Sequence, residues 1–261
     1  MNLDRMTIAV RRRSVAELYD LALLVLRRHF LPLTVLAVGG ALPWLLLDRW
    51  LLADVAQPVM AWYWLLLLLA VQAPLATAPL TAYLGEAMFS ETPSLRRALR
   101  TALGAWQLLL QIGVLYGVLA WLPLLLFLAP PHAVAVAVLE NQTGRAAWTR
   151  ANTLRTAWAN GWPSHLLLAA AVLVATVLML VGTLDALQHL LTTARALPDW
   201  LELLPALDPA TSVLPIVGGF AALAYLAIVH FLTYLDLRTD REGWDIDLAL
   251  RRAAQTLEVA P

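Results

Sequence analysis

The chain has 261 residues, 61% of them hydrophobic and 14% charged, with a formal net charge of zero and a mean hydropathy of +0.72. A soluble domain carries about 25% charged residues, so this composition excludes a soluble enzyme and a disordered chain. With no cysteine present, a disulfide scaffold, thiol catalysis and cysteine-ligated zinc are excluded as well.

Five uncharged stretches, 30–47, 55–85, 101–139, 156–184 and 209–235, make up more than half of the sequence. Apolar runs of roughly 18 or more residues read as membrane spans. Arg5, Arg11, Arg12 and Arg13 stand near the start, the first long apolar run begins only near Phe30 and no small-residue cleavage pattern follows it, so an uncleaved first span is expected rather than a signal peptide. Ser14 with Glu17 has the spacing of a reciprocal cap at a helix start. It predicts an interfacial helix over 14–29, with Arg27 and Arg28 in the last turn, where cations suit the helix dipole. A first span over 30–50 and a second over 59–85 follow, joined by a short loop from Asp48 to Gln57.

Thr92 as cap and Pro93 at the first helical position predict a second interfacial helix over 93–103. Leu95, Leu99 and Ala102 share one face of it, and Arg96, Arg97 and Arg100 another. As a single helix, the stretch 101–139 would be ~58 Å long at ~1.5 Å per residue, about twice the ~30 Å hydrocarbon core. A reversal at Leu122-Pro123 divides it into a third span, 104–122, and a fourth, 124–139, short or re-entrant because it contains Pro130-Pro131. The alternative is one tilted span and five crossings in total. A third interfacial helix is expected over 143–158, with Trp148, Ala151, Leu154 and Trp158 facing one way. Then come a fifth span over 161–184, an extracytoplasmic segment over 185–208, a sixth span over 211–235 and a cytoplasmic tail, 236–261.

All eighteen cations are arginine, and sixteen of them lie in four regions: before the first span, between the second and third stretches, between the third and fourth, and after the last. Cytoplasmic loops retain Lys and Arg. If all four regions are cytoplasmic, every excursion between them crosses an even number of times, which favours six spans over five.

Catalytic signatures are sparse. No HExxH, GxSxG or P-loop occurs, the histidines (His29, His132, His165, His189 and His230) lack metal-ligand spacing, and no acid stands in the middle of an uncharged stretch. No enzyme, metal or cofactor is expected. The candidate functional residues fall into two sets. At the rim stand Glu86, Glu140 and Asp236, beside Arg96, Arg97, Arg100, Arg238 and Arg241; these read as interface markers or as acids paired with neighbouring arginines. Within the spans, Gln107 and Gln111 share a helix face, and His230 lies ~9 Å inside Asp236. They read as interhelical hydrogen-bonding groups or as the lining of a hydrated path.

The string Tyr234-Leu235-Asp236-Leu237-Arg238-Thr239-Asp240-Arg241-Glu242-Gly243-Trp244-Asp245 resembles the end of a family of bacterial polytopic proteins. That family is often labelled as the membrane domain of glycerophosphoryl diester phosphodiesterase. Arg13-Ser14-Val15-Ala16-Glu17-Leu18, Pro93-Ser94-Leu95-Arg96-Arg97-Ala98-Leu99 and Val138-Leu139-Glu140 look like its opening, middle loop and centre. Where the family has a Glu-Gly pair, this chain reads Glu140-Asn141. The resemblance implies six spans and carries no activity over, because in fused members a separate soluble barrel does the phosphodiester chemistry.

The expectation is therefore an all-α polytopic protein of the bacterial inner membrane. It has about six transmembrane helices in three hairpins, interfacial helices on the cytoplasmic face and both termini cytoplasmic. Its expected role is that of a non-enzymatic scaffold or accessory subunit, in contact with the lipid bilayer and with membrane-protein partners or further copies of itself, and not with nucleic acid. The alternative is a transporter or lipid-handling protein for a small polar or amphiphilic solute.

Overall fold

The computed structural model describes residues 14–90, 92–121, 130, 132–140, 142, 144–157, 162–192 and 205–242. Every regular element among them is helical. α1 (Val15–Arg28) opens on the expected cap: the Glu17 N–H donates to Ser14 Oγ, and the Ser14 N–H donates back to the Glu17 carboxylate. After a turn at His29 come α2 (Phe30–Leu52) and α3 (Pro58–Phe89), the latter with Pro58 in its first turn, where no N–H partner is lost. α4 (Leu95–Gly104) and α5 (Trp106–Ala120) meet at a bend of 67°. α6 (Ala133–Leu139), α7 (Gly144–Ala157), α8 (Trp162–Thr192), a single 3-10 turn (Pro205–Leu207) and α9 (Leu214–Glu242) complete the order.

Four stretches, Phe30–Leu52, Pro58–Met88, Pro163–Thr183 and Leu214–Thr239, are long and apolar enough to cross a membrane. α4 and α5 reach that length only as a bent pair. α6 has seven residues, about 10 Å of helix, and cannot cross by itself. The outward surface fits lipid contact. Leu31, Val35, Val38, Leu42 and Leu46 of α2 are exposed, as are Trp106, Leu110, Val114 and Val118 of α5 and Leu167, Val174 and Met179 of α8. Soluble monomers do not surround themselves with apolar surface on that scale.

The centre is built from α3 and α9. α3 packs against α2, α4, α5, α6 and α9, and the α9 span is 67% buried where the α8 span is 11%. Small residues let the helices approach. Gly113 and Gly117 of α5, four apart, press on Val71 of α3, and Gly40 of α2 lies against the Ala76 carbonyl. A Cβ at Gly113 or Gly40 would overlap a backbone oxygen, so the contact requires glycine. Apolar side chains gain little between helices that already sit in lipid, and close packing of this kind is what holds such a bundle together.

Two of the expected interfacial helices bury slightly different faces from those read in the sequence. On α4 the inward residues are Leu95, Ala98 and Ala102, while Leu99 and Leu103 are exposed. On α7, Ala147, Ala151 and Leu154 are buried with Trp148 packed beside them; Trp158 lies outside the described residues. α1 does more than lie on a surface, because Leu18, Tyr19 and Ala22 pack into the main core against α9. The loop expected from Asp48 is shorter than the sequence suggested: α2 continues to Leu52, and Asp48 is a buried helical residue. Much of the expected extracytoplasmic segment and of the tail lies outside the described residues.

Arg28, Arg97, Arg150 and Arg238 gather at one end of the bundle, called the basic end below, through the shared contacts of Glu86, Phe231 and Glu140. At the other end the Arg49 guanidinium donates to the Ala210 carbonyl, tying α2 to the segment before α9.

Candidate functional site

α9 presents His230, Tyr234 and Arg238 at successive intervals of four, which places them on one helix face. α6 runs alongside in the same direction. His132 at its start is within electrostatic reach of His230, and Glu140 at its end meets Tyr234 and Arg238. The start of α6 is anchored from the other side, where the Tyr116 hydroxyl donates to the Pro130 carbonyl at 2.5 Å. A polar row therefore leads from the bundle interior to the basic end, with a short helix laid along it.

Glu140 is the hub at the rim. Arg150 Nε donates to both of its carboxylate oxygens, at 3.2 and 3.1 Å. The Tyr234 hydroxyl donates to Oε1 at 2.8 Å, Gln142 Nε2 to Oε2 at 3.3 Å, and the Arg238 guanidinium stands 3.9 Å from Oε1. Arg238 also donates to the Tyr234 hydroxyl at 3.0 Å and lies over its ring. Only 9% of the Glu140 side chain is exposed. One carboxylate thus fastens the end of α6 to α7 and α9. Glu86 does similar work for α3, accepting from the Ser94 N–H and pairing with Arg97, both at 3.1 Å.

Glu86 lines a cavity of about 370 Å³ that also reaches Tyr234 and Arg238, the partners of Glu140. Glu86, Arg97, Tyr234 and Arg238 supply its polar wall, and Leu139 and Phe231 belong to its apolar one. A space of that size with charged walls holds water or a polar ligand group rather than remaining empty.

Deeper in the bundle, His165 Nε2 and His230 Nε2 are 2.9 Å apart, and the Tyr19 hydroxyl is 3.1 Å from His165 Nδ1. The Tyr19 hydroxyl also donates to the His165 carbonyl at 3.2 Å, which leaves its oxygen to accept from His165 Nδ1–H and His165 Nε2 to accept from His230 Nε2–H. Tyr225 donates to the Tyr19 carbonyl at 2.7 Å, fixing α1 to α9. Burial, with Tyr225 nearby, raises the Tyr19 phenol above its ordinary pKa, so it remains a donor. At the α1–α2 junction, burial and then the Arg28 charge lower the pKa of His29 from its ordinary value of 6.5; its Nδ1 is 3.4 Å from the Tyr83 hydroxyl.

The structure brings Glu86, Arg97, Glu140 and Arg238 to the rim of one cavity or directly beside it, and places His230 one helical turn inward from Tyr234. Arg96 and Arg100 are exposed on α4, and Asp236 sits half-buried on α9, away from the Tyr234–Arg238 face. Arg241 belongs to α9, with its side chain outside the described set. Gln107 and Gln111 point outward from α5 rather than lining a passage. Three of the histidines that look scattered in sequence, His132, His165 and His230, converge in space, although no three His, Asp or Glu among the described residues are arranged to hold a metal. Tyr234, Arg150 and the His165–Tyr19 pair were missed. The spacing of His230, Tyr234 and Arg238 was a readable signal for the first; the others depend on tertiary contacts.

Compared with protein-family models, curated proteins and solved structures, the chain finds no match.

Proposed function

We propose that this is a non-enzymatic integral membrane protein that binds amphiphilic, phosphate-bearing solutes of the phospholipid class at its basic end. The observation that carries the reading is the cavity lined by Glu86, Arg97 and Arg238. Arg97 and Arg238 offer planar donors suited to phosphate, Glu86 offers an acceptor for an amine-bearing headgroup, and Leu139, Phe231 and Leu235 offer contact for the first carbons of a chain. A second, apolar groove of about 310 Å³ lies between α2 and α9 and is lined on α2 from Leu33 to Leu45. That is about 18 Å of helix, over half of the ~30 Å hydrocarbon core, and suits part of an acyl chain. The basic end is taken as the cytoplasmic side of a bacterial inner membrane, following the arginine distribution. The unequal pair α5 and α6 is taken as the middle of three hairpins, with α6 covering only about a third of the depth.

Native mass spectrometry of the protein released from mild detergent tests the reading. Phospholipid adducts are expected to persist on the wild-type protein and to fall several-fold in Arg97→Gln, which removes a cavity donor while leaving the Glu140 hub intact. Equal lipid retention in the two proteins counts against the cavity as the binding place. A scaffold role is the second reading, favoured by the exposure of Arg96 and Arg100 on α4; crosslinking from these positions to a defined protein neighbour, with no specific lipid bound, would support it instead.

A further inference from the structure

We infer that Asp48 and Gln72 form a proton-binding site within the helix bundle, filled by one proton that Asp48 holds as a neutral carboxylic acid. The site is remote from the basic end and does not depend on the lipid-binding reading. Asp48 has no exposed surface, and Gln72 is 2% exposed. Gln72 stands near the midpoint of the 32-residue α3, about 21 Å along that helix from Glu86. An acid at this level of a membrane bundle is costly and calls for a function.

The hydrogen-bond inventory identifies the ligand. Gln72 Nε2 donates to Asp48 Oδ1 at 2.5 Å. The two remaining oxygens, Asp48 Oδ2 and Gln72 Oε1, are buried and have no hydrogen-bond partner. With Asp48 ionised, both are acceptors and neither has a donor. A single proton added to Oδ2 supplies it: the O–H donates to Gln72 Oε1 while Nε2–H donates to Oδ1, closing an acid–amide ring. No bond breaks, and the buried negative charge is removed. A metal cation is a poorer fit, because hard cations take roughly six or more oxygens and the pair offers two.

Among the described residues, the surroundings supply no competing charge. At this level α3 contributes Leu69 and Ala76, α9 contributes Ile216 and Phe220, and α2 contributes Leu52, all in one buried apolar cluster. The neighbouring cation, Arg49, turns its guanidinium to the Ala210 carbonyl, and Asp208 accepts from the Ala210 N–H. Loss of the proton would leave a carboxylate facing an amide oxygen among α2, α3 and α9. Water would have to enter, or the last turn of α2 would have to move, so the site couples protonation to the packing of these three helices.

Infrared spectroscopy of the full-length protein in lipid nanodiscs at neutral pH tests the inference. The wild-type protein should show the C=O stretch of a protonated carboxylic acid, shifted on exchange into D₂O and absent in Asp48→Asn, whose amide keeps the pairing with Gln72. If the Asn variant fails to fold, Asp48→Glu serves instead, and the band must then move to the position of a glutamic acid. No such band in the wild-type protein, or a band unchanged in the variants, overturns the inference. Loss of the band on adding sodium at constant pH also overturns it, by assigning the site to a cation.

Discussion

At the scale of the residue, Glu140 holds more of the basic end together than any other side chain described. It accepts from Arg150, Tyr234 and Gln142, so Glu140→Gln removes the carboxylate charge that Arg150 and Arg238 face. Breaking a fully buried ion pair costs ~3–5 kcal/mol. Arg150 and Arg238 retain 25% and 21% exposure, so a loss of ~2 kcal/mol is expected here, read as a lower melting temperature in a fixed detergent. Arg150→Gln added to Glu140→Gln should recover part of that loss, because the cation that faced the carboxylate is gone as well. His29 gives a pH dependence. Its folded pKa lies below the ordinary 6.5, so the unfolded chain takes up the proton first. Stability is expected to decrease as pH falls from 6.5 towards the folded value and then to level off; His29→Asn should flatten that portion of the profile in a melting series. Of the residues involved, Glu86, Glu140, Arg97 and Arg238 were legible in sequence because a charge beside an apolar run draws attention. Asp48 was not. It looks like a span-boundary residue until α3 proves long enough to set its middle, rather than its end, beside the last turns of α2.

At the scale of the element, helix approach is governed by where glycines meet backbone. Gly39 and Gly40 are adjacent in α2, yet a side chain at Gly39 would meet nothing, while one at Gly40 would strike the Ala76 carbonyl. Gly40→Leu is expected to cost ~1–3 kcal/mol by overpacking, and Gly39→Leu, which faces outward, very little. Thermal unfolding of the two variants in one detergent checks the contrast. The helices themselves were largely readable, since apolar length and the Ser14–Glu17 cap are local signals. The faces of α4 and the extent of α6 were not. Which side of a basic, leucine-rich helix turns inward depends on the neighbour, and here the small side chains of Ala98 and Ala102 win by allowing closer contact with the bundle than Leu99 would.

At the scale of the whole molecule, all the arginine-bearing segments described from Arg28 to Arg238, Arg49 excepted, meet at one end of the bundle. The absence of cysteine makes the topology directly testable by single-cysteine labelling in intact cells. Thr92→Cys and Gln142→Cys should resist a membrane-impermeant thiol reagent, whereas Ala56→Cys, at the opposite end, should react. Labelling of Gln142→Cys from outside would reverse or break the proposed arrangement of α5 and α6. The partnership of α6 with α9 also bears on how the protein is made. Glu140 is separated from Tyr234 by 94 positions, so a ribosome has released α6 and all of α8 before the tyrosine that binds this carboxylate exists. The seven residues of α6 are too few to be recognised as a membrane segment in their own right. Until the last helix arrives, the chain must hold an incomplete middle, and a nascent protein stalled before residue 234 should be an early target for quality-control proteolysis.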